Sequence, residues 1–194
     1  GDLIGQVHAV ARRRTFQSRP VQEPMAISQA SCERVLASDW LSRRQRQAYA
    51  RIAERLPAAQ RFILEHGINE QFAGDGGRYG IITQGGAHGM VVRALRQLGA
   101  ADGYGNSDVP MLVLNVIHPL VPEEIAEFMA GKDSVLVVEE GNPNLIETQI
   151  AQIAHNNRID CRVRGKDVLP MAGEYVTDVV RAGLADYLAE DGPG

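Results

Sequence analysis

Four side chains stand where they could do chemistry: His88, His118, Glu139 and Glu140. Each follows an apolar, β-branched run. His88 comes after Tyr79–Thr83 through Gln84-Gly85-Gly86, His118 after Met111–Ile117, and Glu139-Glu140 after Ser134–Val138. Two imidazoles and two carboxylates could in principle hold a divalent metal. They lie on separate stretches with no metal-ligand spacing, so no metal is expected. A carboxylate shifted by burial or by a neighbouring charge could serve as an acid or base. Successive residues of an extended chain point to opposite sides, so only one of Glu139 and Glu140 can face a crevice. The alternative is that one caps the following helix while the other is solvated. Gly85-Gly86-Ala87-His88-Gly89 permits a tight turn and a close approach to helix amides. It lacks the GxGxxG spacing of a dinucleotide site, leaving a small-anion cradle or a plain connection. There is no nucleophile elbow and no Walker loop. Cys32 and Cys161 form no CxxC pair and build neither a zinc site nor an iron–sulfur cluster. Both are expected to stay reduced and unligated, Cys161 in a short buried strand.

The elements that position these residues alternate. Tyr79–Thr83 reads as a strand. From Met90, apolar residues at Met90, Val91, Ala94, Leu95 and Leu98 mark one helix face. Met111–Ile117 and Ser134–Val138 are apolar throughout, as strands covered on both faces are. Helices are expected over Pro122–Met129, Asn144–Asn156 and Glu174–Leu188, with a short strand at Cys161–Val163. Strand and helix in turn give an α/β, Rossmann-like, doubly wound and mostly parallel sheet with right-handed crossovers. In such sheets ligands and partners gather at the carboxyl ends of the strands.

Ahead of the sheet, Val7–Arg14 could be a helical end, and Gln17–Pro24 reads as linker. A helix begins at Ser42. Pro57 stops it or starts a second one, which ends at Gly67. The polar stretch 68–77 is expected to be a hinge. The domains are therefore 1–72, a helical arm and linker, and 73–194, the α/β domain, which should fold without the arm.

An apolar share of 44% and a charged share of 23% are those of a globular chain. No apolar run approaches the ~20 residues of a membrane helix, and no secretory signal is visible. A cytoplasmic protein without a membrane partner is expected. Residues 1–61 carry 11 Arg/Lys against 5 Asp/Glu, a balance of +6 inside an overall −4. Few aromatics stand beside these arginines to stack bases, so they read as a solvated or partner-facing surface, not a nucleic-acid site. Gly74-Asp75-Gly76 with Asn106 has the loose outline of a thiamine diphosphate–magnesium motif. That motif follows a buried strand, whereas this one precedes it, so the chain is expected to bind no such cofactor.

One ordered set of motifs is more specific. Ile82–Gly89 with the Val91–Leu98 helix is followed by His118-Pro119-Leu120 and Leu136-Val137-Val138-Glu139-Glu140. Glu147 and Gln149, Gly165-Lys166 and Gly173-Glu174 complete the order. Together they resemble the central domain of the thiamine-containing subunit of indolepyruvate:ferredoxin oxidoreductase, in the 2-oxoacid:ferredoxin oxidoreductase family. Ala11–Arg14 also resembles that family's arginine-rich exit from the pyrimidine-binding domain. His118 stands where the family often has tyrosine. The resemblance implies a fold like the C-terminal domain of transketolases. It implies a parent enzyme that uses thiamine diphosphate, magnesium and iron–sulfur clusters to convert an aryl 2-oxoacid to an acyl-CoA and to reduce ferredoxin. The family's catalytic glutamate lies in the pyrimidine-binding domain, so that role passes to none of Glu139, Glu140 and Glu147. The resemblance makes this chain a structural or assembly domain without a complete active site. Its partners would be other domains or subunits of the parent, homo-oligomers included. Gln84, Gly85, Gly86, His88, His118, Glu139, Glu140 and Glu147 are then crevice or interface candidates. The competing reading is a stand-alone α/β module binding a small anion or a protein.

Overall fold

The computed structural model describes residues 43–75 and 77–191. The described residues up to Ala58 and those from Ala59 onward form separate compact units, and each is taken by itself. Val7–Arg14, the 17–24 linker and Cys32 lie outside the described residues. No described helix is long and apolar enough to cross a membrane.

The first unit is helical: α1 (Arg43–Ala50) continues through a π-helical turn, Arg51–Arg55, into the start of α2 (Leu56–Glu65). Pro57 does not end the helix. The widened turn closes with the Leu56 N–H on the Arg51 carbonyl, which gives the proline ring room that a regular helical ladder denies it.

The second unit holds a five-stranded sheet. Its elements are β1 (Glu70–Phe72), β2 (Tyr79–Gln84), α3 (Gly85–Gln97), β3 (Met111–Leu114), α4 (Pro122–Met129), β4 (Ser134–Val138), α5 (Leu145–Asn156), β5 (Arg162–Arg164) and α6 (Thr177–Asp191). The spatial order is β1-β3-β2-β4-β5, with β1 antiparallel to β3 and the other pairs parallel. The chain enters the sheet's centre at β2, steps to β3, then returns past β2 to β4 and β5. That reversal puts the switch in strand order between the carboxyl ends of β2 and β4, the usual ligand position in such sheets.

Strand alternation divides the core. Ile81, Met111, Leu136 and Val138 face α3 and α6, through Val91, Leu95, Val180 and Leu184. Ile82, Leu112, Val135 and Val137 face α4 and α5, through Ile125, Met129, Ile146 and Ile150. At the amino end of the sheet, the buried Tyr187 hydroxyl receives the Gly80 N–H at 3.3 Å. It lies 3.0 Å from the Gly80 carbonyl and 3.1 Å from that of Ser134. This ties α6 to β2 and β4.

The structure moves several expected boundaries. The polar stretch read as a hinge contains β1, which forms an edge of the sheet. β3 ends at Leu114, because Asn115 turns out of the ladder: its Nδ2 donates to the Ile68 carbonyl and to Glu70 Oε1, each at 2.9 Å. α3 starts at Gly85, not Met90, so the glycine turn is the helix's own first turn. α6 starts at Thr177. Cys161 precedes its strand and is half-buried.

A truncation prediction follows from β1. Asn69 is buried; its side chain accepts the Val116 N–H at 3.1 Å and donates to Glu124 at 2.7 Å. A chain starting at Ala59 keeps these bonds, β1 and buried Ile63, whereas one starting at Gly74 loses all of them. The shorter chain is expected to be less stable by roughly 2–3 kcal/mol, lowering its Tm by on the order of 10 °C. Equal melting temperatures for the two truncations would show that the domain begins at the later boundary.

Candidate functional site: the carboxyl ends of the strands

Glu139 follows β4 and is only 5% exposed. Both of its carboxylate oxygens lie 3.0 Å from the Ile146 amide, and Oε2 also accepts the Glu147 N–H at 3.0 Å. Asn144, at the start of α5, supplies no side-chain cap. Glu139 therefore caps α5 from the preceding strand, a negative charge on orphan amides at the positive end of the helix. Glu140, one residue on, is exposed.

A second group of contacts joins β4 to the connection after β5. Lys166 Nζ donates to the Glu139 carbonyl at 2.5 Å and to the Tyr175 hydroxyl at 2.7 Å, with the Pro170 carbonyl at 3.5 Å. The Tyr175 hydroxyl donates to the Pro170 carbonyl at 2.6 Å. The Lys166 amide donates to Glu147 Oε2 at 3.0 Å. A Cβ at Gly165 would crowd the Glu147 carboxylate that accepts this bond, so a side chain there would displace it. Burial lowers the Lys166 pKa, against the opposing pull of Glu139, Glu147 and Glu140. Burial, followed by these same carboxylates, pushes the Tyr175 hydroxyl up to about 12. At neutral pH Tyr175 is thus a neutral donor, and its proton belongs to Pro170. Sequence reasoning missed Lys166 and Tyr175 as site residues; the available signal was Gly165-Lys166 in the motif series.

The ends of β2 and β3 are built differently. Gln84 leads into α3 without a side-chain cap. Gly85 carries no Cβ because Asn115 Oδ1 would lie 2.5 Å from it, while Gly86 faces open space. His88 stacks on Phe72, with centroids 5.2 Å apart, and its buried Nε2 has no hydrogen-bond partner. His118 is exposed. The structure thus brings Glu139, Glu140 and Glu147 together with Lys166, and keeps His88 and His118 out of that group. Among the described residues, no three His, Cys, Asp or Glu side chains converge to hold a metal.

Gly74 and Asp75 have another use. Gly74 sits at φ +57°, where a Cβ would meet the Asp108 carbonyl oxygen and the Pro110 nitrogen at 2.6 Å. The Asp75 amide donates to the Asp108 carbonyl at 2.8 Å. Asn106 donates through Nδ2 to Asp102 at 2.7 Å. These contacts join the entry to β2 with the entry to β3.

Cys161 allows a direct check on burial. Desolvation is the main cause that raises its thiol from 9.0 to about 11, with nearby Lys132 opposing. At pH 8 its thiolate fraction should be about a hundredfold lower than that of an unperturbed thiol. The rate of alkylation, followed at the Cys161 peptide by mass spectrometry, should inflect near pH 11. An inflection near 9 would contradict the burial.

The family model "Indolepyruvate oxidoreductase domain" matches residues 69–182. The chain is 36% identical over 124 residues to indolepyruvate oxidoreductase subunit IorA of Methanothermobacter marburgensis, covering 63% of this chain and 18% of that protein. It is 32% identical over 124 residues to the same subunit of Methanothermobacter thermautotrophicus, covering 62% and 19%. For the subunit of Pyrococcus horikoshii the identity is 30% over 116 residues, covering 60% and 17%. The chain therefore spans less than a fifth of the length of these relatives. Among solved structures, a split-gene transketolase described as an inactive β4 tetramer matches with a TM-score of 0.42 and 17% identity. That match covers 58% of this chain and 39% of the other. The family match runs from the sheet's edge at β1 into α6 and takes in the whole strand-end group, and on it the chain belongs to the indolepyruvate oxidoreductase domain family.

Proposed function

We propose that this chain is the central domain of the thiamine-dependent subunit of an indolepyruvate-type 2-oxoacid:ferredoxin oxidoreductase. The parent enzyme would oxidatively decarboxylate an aryl 2-oxoacid to an acyl-CoA and pass the electrons to ferredoxin. The observation that carries this reading is the family match across residues 69–182, supported by relatives of 30–36% identity that are named indolepyruvate oxidoreductase subunits. That this chain does not itself hold thiamine diphosphate is supported by the position of Gly74-Asp75 ahead of β2, where the motif would need to follow a buried strand, and by the Asp75 amide and Asn106 Nδ2 being bonded to Asp108 and Asp102. The cofactor, its magnesium and the iron–sulfur clusters would sit on other parts of the polypeptide. This domain would pack against those parts and shape the site. Its strand-end residues are used for capping and bridging, as a packing domain requires.

The test uses the full-length polypeptide with its partner subunit, assayed anaerobically with thiamine diphosphate, magnesium, CoA and ferredoxin. Indolepyruvate and phenylpyruvate should support CoA-dependent ferredoxin reduction with kcat/KM at least about tenfold above that for pyruvate. Preference for pyruvate, or reduction independent of CoA, would reject the assignment.

A further inference from the structure

We propose that Glu139, Glu147 and Lys166 form a latch at the carboxyl end of β4, by which the start of the β5–α6 connection and the first turn of α5 open and close as one unit. The latch goes beyond the packing role proposed above and stands or falls without the parent enzyme's chemistry.

The three residues close a ring of hydrogen bonds. Lys166 Nζ donates to the Glu139 carbonyl at 2.5 Å, and the Lys166 amide donates to Glu147 Oε2 at 3.0 Å. The Glu147 amide donates to Glu139 Oε2 at 3.0 Å, and the Ile146 amide reaches the same carboxylate. Each member is thus held by both of the others. Such a ring loses more than one bond when a member leaves, because the remaining groups lose the positions that align them. Glu139 is buried, so its carboxylate relies on these amides in place of water.

The surroundings let the ring open without the rest of the fold. Two exposed stretches border it, residues 140–143 ahead of α5 and residues 170–174 ahead of Tyr175. Segments with few buried apolar contacts open at lower free energy than the core. Within the unit, Leu145 is exposed and Lys166 and Glu147 are half-buried, so Ile146 supplies its one large buried apolar side chain. Ile150, Leu169 and Tyr175 bound the unit, all of them buried. Leu169 is fixed against α6, where a Cβ on Gly183 would meet its Cδ2 at 2.4 Å. Opening frees the Glu139 carboxylate at the carboxyl end of β4, beside the point where the strand order reverses and such sheets take ligands.

Amide hydrogen exchange of the 194-residue chain, read residue by residue by NMR, tests the latch. In the unsubstituted chain, the protection of the Ile146, Glu147 and Lys166 amides should agree within about threefold and share one urea dependence. All three should exchange at least about tenfold faster than the amides of Val91 and Leu95, which are buried in α3. Lys166→Met keeps the aliphatic stem and removes the ammonium. It should speed Ile146 and Glu147 at least about tenfold further, while Val91 and Leu95 stay within about twofold. Unchanged exchange at Ile146 and Glu147 in that variant would overturn the latch. Should the variant not fold, the unsubstituted chain decides alone. Different urea dependences at Glu147 and Lys166 would mean that the two segments open separately. Exchange of all three at the pace of Val91 would mean that they open only with the whole fold. Either result would overturn the proposal.

Discussion

Leu136→Ala should lower stability by roughly 3–5 kcal/mol, enough to leave much of the 194-residue chain unfolded at 37 °C. Leu136 is fully buried in β4, paired with Ile81 on one side and Arg164 on the other, and packs toward α3 and α6. Both faces of the sheet are covered, so the cavity cannot fill with water and neighbouring strands limit its collapse. Val163→Ala, in the edge strand and only half-buried, should cost about 1 kcal/mol or less. Chemical denaturation of both variants checks the contrast. Equal losses would mean that the sheet's centre is not where the structure places it.

The second large effect is expected at Glu139. Glu139→Ala removes the acceptor for the Ile146 and Glu147 amides and leaves both orphaned near the first turn of α5. Hydrogen bonds to a charged group are worth about 1.5–3 kcal/mol. A buried cap should therefore cost roughly 2–3 kcal/mol, with hydrogen exchange accelerated first at residues 145–148. Glu140→Ala, at the exposed neighbour, should change stability by no more than about 0.5 kcal/mol. If the two alanine variants melted alike, Glu139 would not be the cap.

Much of this fold is legible in the sequence for a physical reason. β3 and β4 are buried on both faces and so read as continuous apolar runs, and α4 and α5 carry clear apolar stripes. β1 is not legible: Glu70-Gln71-Phe72 is a three-residue edge strand whose pairing depends on β3, far along the chain. The start of α3 at Gly85 is hidden because glycine carries no periodicity. At the site, the sequence marks Glu139 and Glu140 as strand-end carboxylates, but which one turns inward depends on how residues 140–145 loop back. Lys166 and Tyr175 escape notice because, apart from each other, their side chains bond main-chain oxygens, which leave no trace in residue types. His88 and His118 follow β2 and β3, whereas the carboxylates follow β4.

The central claim is that this domain positions other parts of an oxidoreductase and does not itself hold the cofactor. A cryo-EM structure of the full-length enzyme loaded with thiamine diphosphate and magnesium tests it most directly. The account predicts cofactor density in a domain outside residues 59–191. Diphosphate density at Gly74-Asp75 would contradict it.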